Sequence, residues 1–313
     1  MKKIGIIINP NSRINKKTKC ASVSKFTKIA GNLADIRTTK SLDELKQAIK
    51  EFKKNKYDYV VISGGDGTIH HVVSALISEY KENVPPILLL KDGTMNNIAT
   101  SIKLEKSSTD ALKALIHLIQ VKKNIRLVQR DTIKINDKHC FLFGFGLTTN
   151  FLNEVYVYDK KGLRQNIRVI GKTIAEAFLT LTNISEDKLS LFKPLEYEIK
   201  VDGKAIPFSK VLCLIAGTVE TIGMGFSTLY RANDIPNTFH VIINGMKPIQ
   251  LVRELQKLLL GEEIENCLNY DAVCNLMEIK AKEPFDYTMD GDIYLCDSTL
   301  SVKTGVPLKF ILL

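Results

Sequence analysis

The chain has 313 residues, 45% of them apolar and 25% charged, a globular composition that excludes a disordered or collagen-like chain and leaves room for two domains with cores of their own. Lys and Arg exceed Asp and Glu by ten, which favours anionic partners (nucleotide phosphates, nucleic acid or an acidic membrane surface) without choosing among them. No apolar run reaches the roughly 18–20 residues of a spanning helix.

The six cysteines (Cys20, Cys140, Cys213, Cys267, Cys274 and Cys296) contain no C-x-x-C pair. They read as the reduced thiols of a cytosolic protein, not as a zinc site or disulfide frame. At the N-terminus, Ile4–Ile8 is too short for a signal-peptide core and reads as a buried strand. Lys16–Ala30 has helical character. Ser41–Lys54 predicts a helix capped by Ser41, with Glu44 at its third position and Leu42, Leu45, Ala48, Ile49 and Phe52 on one face. Asp58–Ile62 is a second central strand, followed by a helix from Thr68 to about Tyr80. Pro86–Leu90 is a third strand, and Asn96–Ile102 and Thr109–Gln120 are further helices. Apolar strands alternating with amphipathic helices predict a parallel sheet covered on both faces.

After about Ile125 the texture changes. Arg126–Ile135, His139–Gly144, Leu195–Val201, Val211–Ile215, Met277–Ala281, Tyr287–Met289 and Leu308–Leu312 are β-rich, with Asp202-Gly203 as a hairpin turn. Helices are expected at Leu163–Leu181 and Pro248–Leu260. The fold class expected is α/β with two domains: an α/β domain over 1–125, a mostly antiparallel β domain over 126–300, and a last strand over 301–313 returning to the first domain.

The chemistry is concentrated at Gly64-Gly65-Asp66-Gly67-Thr68, where a buried strand ends in glycines and leads straight into a helix. Glycines let backbone N–H groups approach phosphate oxygens, and the helix N-terminus adds unpaired donors and a positive dipole end. A carboxylate among phosphates is repelled unless Mg²⁺ accompanies them, so Asp66 reads as a metal-linked group. Asn9-Pro10-Asn11-Ser12 after the first strand and Asp92-Gly93-Thr94-Met95-Asn96-Asn97 after the third come to the same sheet edge. There is no G-x-x-x-x-G-K-[ST] and no G-x-G-x-x-G after the first strand, which argues against a P-loop enzyme and a dinucleotide dehydrogenase.

In order and spacing, these three segments resemble the diacylglycerol-kinase catalytic family of soluble bacterial and eukaryotic lipid kinases. Phe143-Gly144-Phe145-Gly146 and Met289-Asp290-Gly291-Asp292 resemble its later signatures. The glycine–aspartate motif is shared with NAD kinases. The resemblance implies an ATP- and Mg²⁺-dependent lipid kinase, cytoplasmic and peripheral to the membrane, with lipid entering between the domains. It implies ATP binding by Asn9, Pro10, Asn11, Ser12, Arg13, Thr39, Gly64, Gly65, Asp66, Gly67, Thr68 and Thr94, and a general base at Asp292. The expected partners are ATP and a lipid at an anionic surface; no nucleic acid partner is expected and a homodimer is left open.

Three departures stand out. Asp292 is one methylene shorter than the family's usual Glu, and Asn97 replaces an acid after Gly93-Thr94. In 232–238, where many bacterial members bind a structural Mg²⁺, Asp234 is the only acid, and hard divalent cations want several oxygens. The alternatives are an NAD kinase-like phosphotransferase and a catalytically impaired member that only binds nucleotide or lipid. The predicted Leu163–Leu181 helix carries a basic stripe of Arg164, Arg168 and Lys172, suited to an anionic membrane or simply to solvent. His70 and His71 read as ordinary helix residues.

Overall fold

The computed structural model describes residues 3–18, 21–93, 96–158, 192, 194–222 and 226–313, and the predicted Leu163–Leu181 helix lies outside them. The chain divides into two units: Met1–Thr132 with Asp137–Cys140 and Gly305–Leu313, and Ile133–Asn136 with Phe141–Thr304.

The first unit runs β1 (Ile4–Ile8), α1 (Arg13–Lys17), α2 (Ala21–Ala30), β2 (Ala34–Thr38), α3 (Leu42–Lys54), β3 (Tyr59–Gly64), α4 (Asp66–Tyr80), β4 (Ile87–Lys91), α5 (Asn97–Ser101), α6 (Ser108–Gln120) and β5 (Arg126–Arg130). Strands β2, β1, β3 and β4 lie side by side in that order, all parallel. Every residue of β1 and β3 is buried, as continuous apolar runs require when both sheet faces are covered. The helices pack in two groups, α3 on α4 and α2 on α6. Ser41 caps α3 as predicted: its hydroxyl accepts from the Glu44 N–H at 3.2 Å, and the Glu44 carboxylate accepts from the Lys40 N–H at 2.7 Å.

The second unit begins with β6 (Ile133–Ile135). After β7 (Lys138–Cys140), which belongs to the first unit, follow β8 (Leu142–Gly146), α7 (Leu147–Tyr158), β9 (Leu195–Val201), β10 (Lys204–Ala205), β11 (Lys210–Val211), β12 (Cys213–Gly217), β13 (Phe239–Asn244), α8 (Pro248–Arg253), α9 (Leu255–Leu260), β14 (Asn269–Cys274), β15 (Leu276–Ala281), β16 (Phe285–Met289), β17 (Asp292–Cys296) and β18 (Thr299–Thr304). One antiparallel sheet holds β10, β9, β15, β18 and β6 in that order; the other is β14-β13-β12-β8-β16-β17. In β9 and β15 buried residues alternate with exposed or half-buried ones, so one face of that sheet meets solvent. Aromatic rings join the two sheets. Tyr197 on β9 lies 4.5 Å from Phe145 on β8 and 5.2 Å from Phe285 on β16, centroid to centroid, within the range of favourable ring pairs.

The last strand, β19 (Leu308–Leu312), returns to the first sheet, parallel to β4 and antiparallel to β5. This agrees with the expected α/β class and its returning C-terminal segment. Local differences have local causes. Where one helix was expected over Lys16–Ala30, α1 ends at Lys17 and α2 begins at Ala21. The helix expected over Pro248–Leu260 breaks at Glu254, whose N–H is shared between the Gln250 and Leu251 carbonyls. Helix α7 was not anticipated, because its Thr, Phe, Val and Tyr residues favour strand by propensity.

Candidate active site

The parallel order β2-β1-β3-β4 puts the C-terminal ends of four strands along one sheet edge. Thr39 follows β2, and its N–H donates to the last carbonyl of β1, Ile8, at 3.0 Å. Asn9, Pro10, Asn11 and Ser12 follow β1, and Arg13 opens α1. The Asn9 side chain folds its own loop, accepting from the Asn11 N–H at 2.8 Å, an Asx-turn. Its amide donates to the Thr68 hydroxyl at 2.8 Å. The Ser12 hydroxyl is buried and makes no hydrogen bond with the described residues. A buried hydroxyl left unused by the protein fits a loop whose partner is a ligand oxygen.

Gly64 ends β3, Gly65 is the N-cap of α4, and Asp66, Gly67 and Thr68 form its first turn. The glycines have steric reasons. A Cβ on Gly64 would meet the Thr68 side chain at 2.5 Å, and one on Gly93 would meet the Gly65 Cα at 2.3 Å. The loops after β3 and β4 are therefore in backbone contact, which only glycine permits. Asn96 holds the loop after β4, accepting from the Gly93 N–H at 3.0 Å from a left-handed conformation (φ 54°). Thr94 lies outside the described residues.

Asp66 does something the sequence did not suggest. Its carboxylate accepts from the Asn97 N–H at 3.1 Å and reaches the Ile98 N–H at 3.5 Å, at the start of α5. Its carboxylate is thereby fixed at the first turn of α4, beside the loop after β4. The residues fit an indirect Mg²⁺ role. Asn97 adds a backbone donor where the family has an acid.

Asp292 belongs to the second unit, as the first residue of β17 and half-buried. It follows a two-residue hairpin turn in which Asp290 and Gly291 both have positive φ (49° and 98°), the geometry of a tight β-hairpin. Asp290, 8% exposed, is structural: its carboxylate accepts from the Phe141 N–H at 3.0 Å and the Leu142 N–H at 2.8 Å. The two acids of this signature thus have different work, one anchoring the turn and the other following it.

The residues of 231–238 do not fit a structural cation. The Arg231 guanidinium lies 3.3 Å from the Asp234 carboxylate and 3.4 Å from that of Asp271. The Thr238 hydroxyl donates to the Ile235 carbonyl at 2.6 Å, and the Thr304 hydroxyl to the Asn237 carbonyl at 3.0 Å. Oxygens that a divalent ion would need already receive protein hydrogens. Buried His240 lies 2.8 Å from Asp271 through Nε2, and its Nδ1 accepts from the Arg231 N–H at 3.4 Å. Burial raises the Asp271 carboxyl, but hydrogen bonds from His240 and Tyr230 and the Arg231 charge outweigh it and hold the group below its ordinary value. This cluster is invisible in the sequence because its members share no spacing.

Among the described residues no helix is long and apolar enough to cross a membrane. Residues 3–128 match the family described as the diacylglycerol kinase catalytic domain. The Bacillus subtilis diacylglycerol kinase is 26% identical over 93% of this chain and 90% of its own. A Yersinia enterocolitica protein named "Probable lipid kinase YegS-like" is 32% identical over 36% of this chain, and the match spans only 38% of that protein's length. A crystal structure of a diacylglycerol kinase from Bacillus anthracis superposes over 100% of this chain and 97% of its own, with TM-score 0.68 at 16% identity, a likeness of fold. Residues 3–128, which carry the Asn9, Gly64–Thr68 and Gly93 loops on one sheet edge, are thus similar to the diacylglycerol kinase catalytic domain.

Proposed function

We propose that the protein is an ATP- and Mg²⁺-dependent lipid kinase that moves the γ-phosphate of ATP onto the hydroxyl of diacylglycerol or a related lipid. The supporting observation is the meeting of the Gly64–Thr68 and Gly93 loops at the end of the parallel sheet, beside the α4 N-terminus. First-turn N–H groups there lack intrahelical acceptors and carry the positive end of the helix dipole, which suits a polyphosphate. Asn9, Ser12 and Thr68 supply side-chain contacts, and Thr39 and Thr94 complete the nucleotide set. Asp66 is the residue that would hold a nucleotide-bound Mg²⁺, which would supply charge neutralisation at the transferred phosphoryl group, and it keeps the start of α5 in place. Asp292 takes the proton of the lipid hydroxyl during in-line attack.

In the second unit, a cavity of about 250 Å³ is lined by Thr149, Asn150, Leu195, Tyr197, Phe285 and Leu295, among others. Its lining also includes Gly146, Pro284 and Asp286, and ligand sites commonly run larger, from about 300 to 1,000 Å³. The protein works from the water side of an anionic membrane.

Incubation of the full chain with radiolabelled ATP, Mg²⁺ and a total lipid extract, with NAD in a parallel reaction, tests this reading. Label should enter one lipid class, and Asp66→Asn should abolish the transfer. Label in NAD alone would mean an NAD kinase-like enzyme; nucleotide binding without transfer to either acceptor would mean a binding protein.

A further inference from the structure

Asp92 is absent from the expected site residues, yet it lies at the centre of the hydrogen bonds beneath the loops. It follows β4 directly and is 4% exposed. Its carboxylate accepts from the Ser63 hydroxyl on β3 through one oxygen, and from the Ser108 hydroxyl of α6 at 2.8 Å through the other. Its carbonyl accepts from the Ile14 N–H of α1 at 3.4 Å. Ser63 in turn accepts from the Asn15 side-chain amide at 3.2 Å, and the same amide donates to the Asn9 carbonyl at 2.9 Å. Asn15 closes the set by accepting from the Ser22 hydroxyl at 2.7 Å. Asn9 then holds Thr68. One continuous chain therefore runs from α6 through Asp92, Ser63, Asn15 and Asn9 to the first turn of α4.

Asp92 fixes the direction of the Ser63 link in that chain. A serine hydroxyl has a single proton, and an ionised carboxylate only accepts. Ser63 must give its proton to Asp92 and so presents lone pairs to Asn15. This makes the Asn15 amide a donor, and its opposite oxygen then faces Ser22. Replacing the acceptor at position 92 with an apolar group would leave two hydroxyls without partners and Ser63 free to turn.

We propose that Asp92 is a positioning residue of the nucleotide site: as acceptor of the Ser63 and Ser108 hydroxyls, it anchors the chain of hydrogen bonds that holds the Asn9 loop where phosphates bind. The proposal rests on the nucleotide reading of those loops, so its first test is made without nucleotide. In hydrogen exchange of the full chain, Asp92→Ala should speed exchange in 9–15 and 63–68 by roughly tenfold or more, and leave β8 to β18 unchanged. Asp92→Asn keeps an oxygen for Ser63, and the Ser108 hydroxyl can accept from its amide, so it should exchange like the wild type. Titration with Mg²⁺·ATP should then show about tenfold weaker binding for Asp92→Ala and less than threefold for Asp92→Asn. Unchanged exchange at both segments in Asp92→Ala overturns the proposal, as does equal damage from Asp92→Asn. If Asp92→Ala does not fold, Ser63→Ala cuts the same chain one bond further on and is read the same way. A wild-type protein that binds no nucleotide would remove the functional reading, while the exchange result still decides the role of Asp92.

Discussion

The Asn9 side-chain amide donates to the Thr68 hydroxyl at 2.8 Å, joining two loops separated by 59 positions in the chain. The Asx-turn sets the Asn9 side chain locally, but only adjacency of β1 and β3 brings it to Thr68. A neutral hydrogen bond of this kind contributes about 1 kcal/mol. Asn9→Ala, which also removes the Asx-turn, should raise the ATP KM roughly fivefold to tenfold and leave the lipid KM unchanged. Steady-state kinetics with each substrate varied in turn would check it.

Gly93→Ala should be far more damaging than its size suggests. The new methyl would stand 2.3 Å from the Gly65 Cα, and backbone cannot swing away as a side chain can. The two loops must separate, so Mg²⁺·ATP binding should fall below detection by calorimetry. Stability should fall as well, by about 1–3 kcal/mol as for other overpacked sites, measured by thermal melting.

Asp290 and Asp292 sit two residues apart and should fail differently. Asp290→Ala strands the buried Phe141 and Leu142 N–H groups, a loss of about 3 kcal/mol given that hydrogen bonds to charged groups are the stronger kind. Its melting temperature should drop by several degrees. Asp292→Asn, half-exposed at the start of β17, should melt much closer to the wild type, bind ATP normally and transfer phosphate at a rate at least a hundredfold lower, the scale of general-base loss. Normal turnover by Asp292→Asn would remove it from the mechanism.

Arg231 predicts how the 231–238 turn responds to metal and acid. Because its guanidinium bridges Asp234 and Asp271, chelator should leave the melting temperature of the wild type unchanged. Arg231→Gln should lower stability by about 1–3 kcal/mol, since it leaves the largely buried Asp271 carboxylate short of a partner. The folded Asp271 carboxyl titrates below its ordinary value of 3.8. Its contribution is thus fully present above about pH 4 and is lost as pH falls through the lower folded value. Asp271→Asn should therefore reduce stability at pH 7 and flatten the acid limb below pH 4, as followed by denaturant melts across pH.

Much of the first unit was legible from local pattern. Ile4–Ile8 and Tyr59–Gly64 are apolar runs that only a sheet covered on both faces can use, and Ser41 with Glu44 marks a helix start by itself. The glycines at 64, 65 and 93 pointed to backbone close approach. Other features were not legible because their signals oppose or lack local preference. Thr148, Thr149 and Phe151 favour strand by propensity yet lie in α7. Tyr230, Arg231, His240 and Asp271 meet only because β13 pairs with β14.

From sequence alone came most element types, the family resemblance and the expectation that three loops bind phosphate, because turn chemistry, helix capping and hydrophobic period act over a few residues. Which side chain holds which loop was decided by strand order. That order lays β1, β3 and β4 side by side, so Asn9 reaches Thr68, Gly93 touches Gly65 and Asp92 accepts from Ser63. Contacts between residues tens of positions apart leave no period in the chain, and they exist only once the sheet has formed.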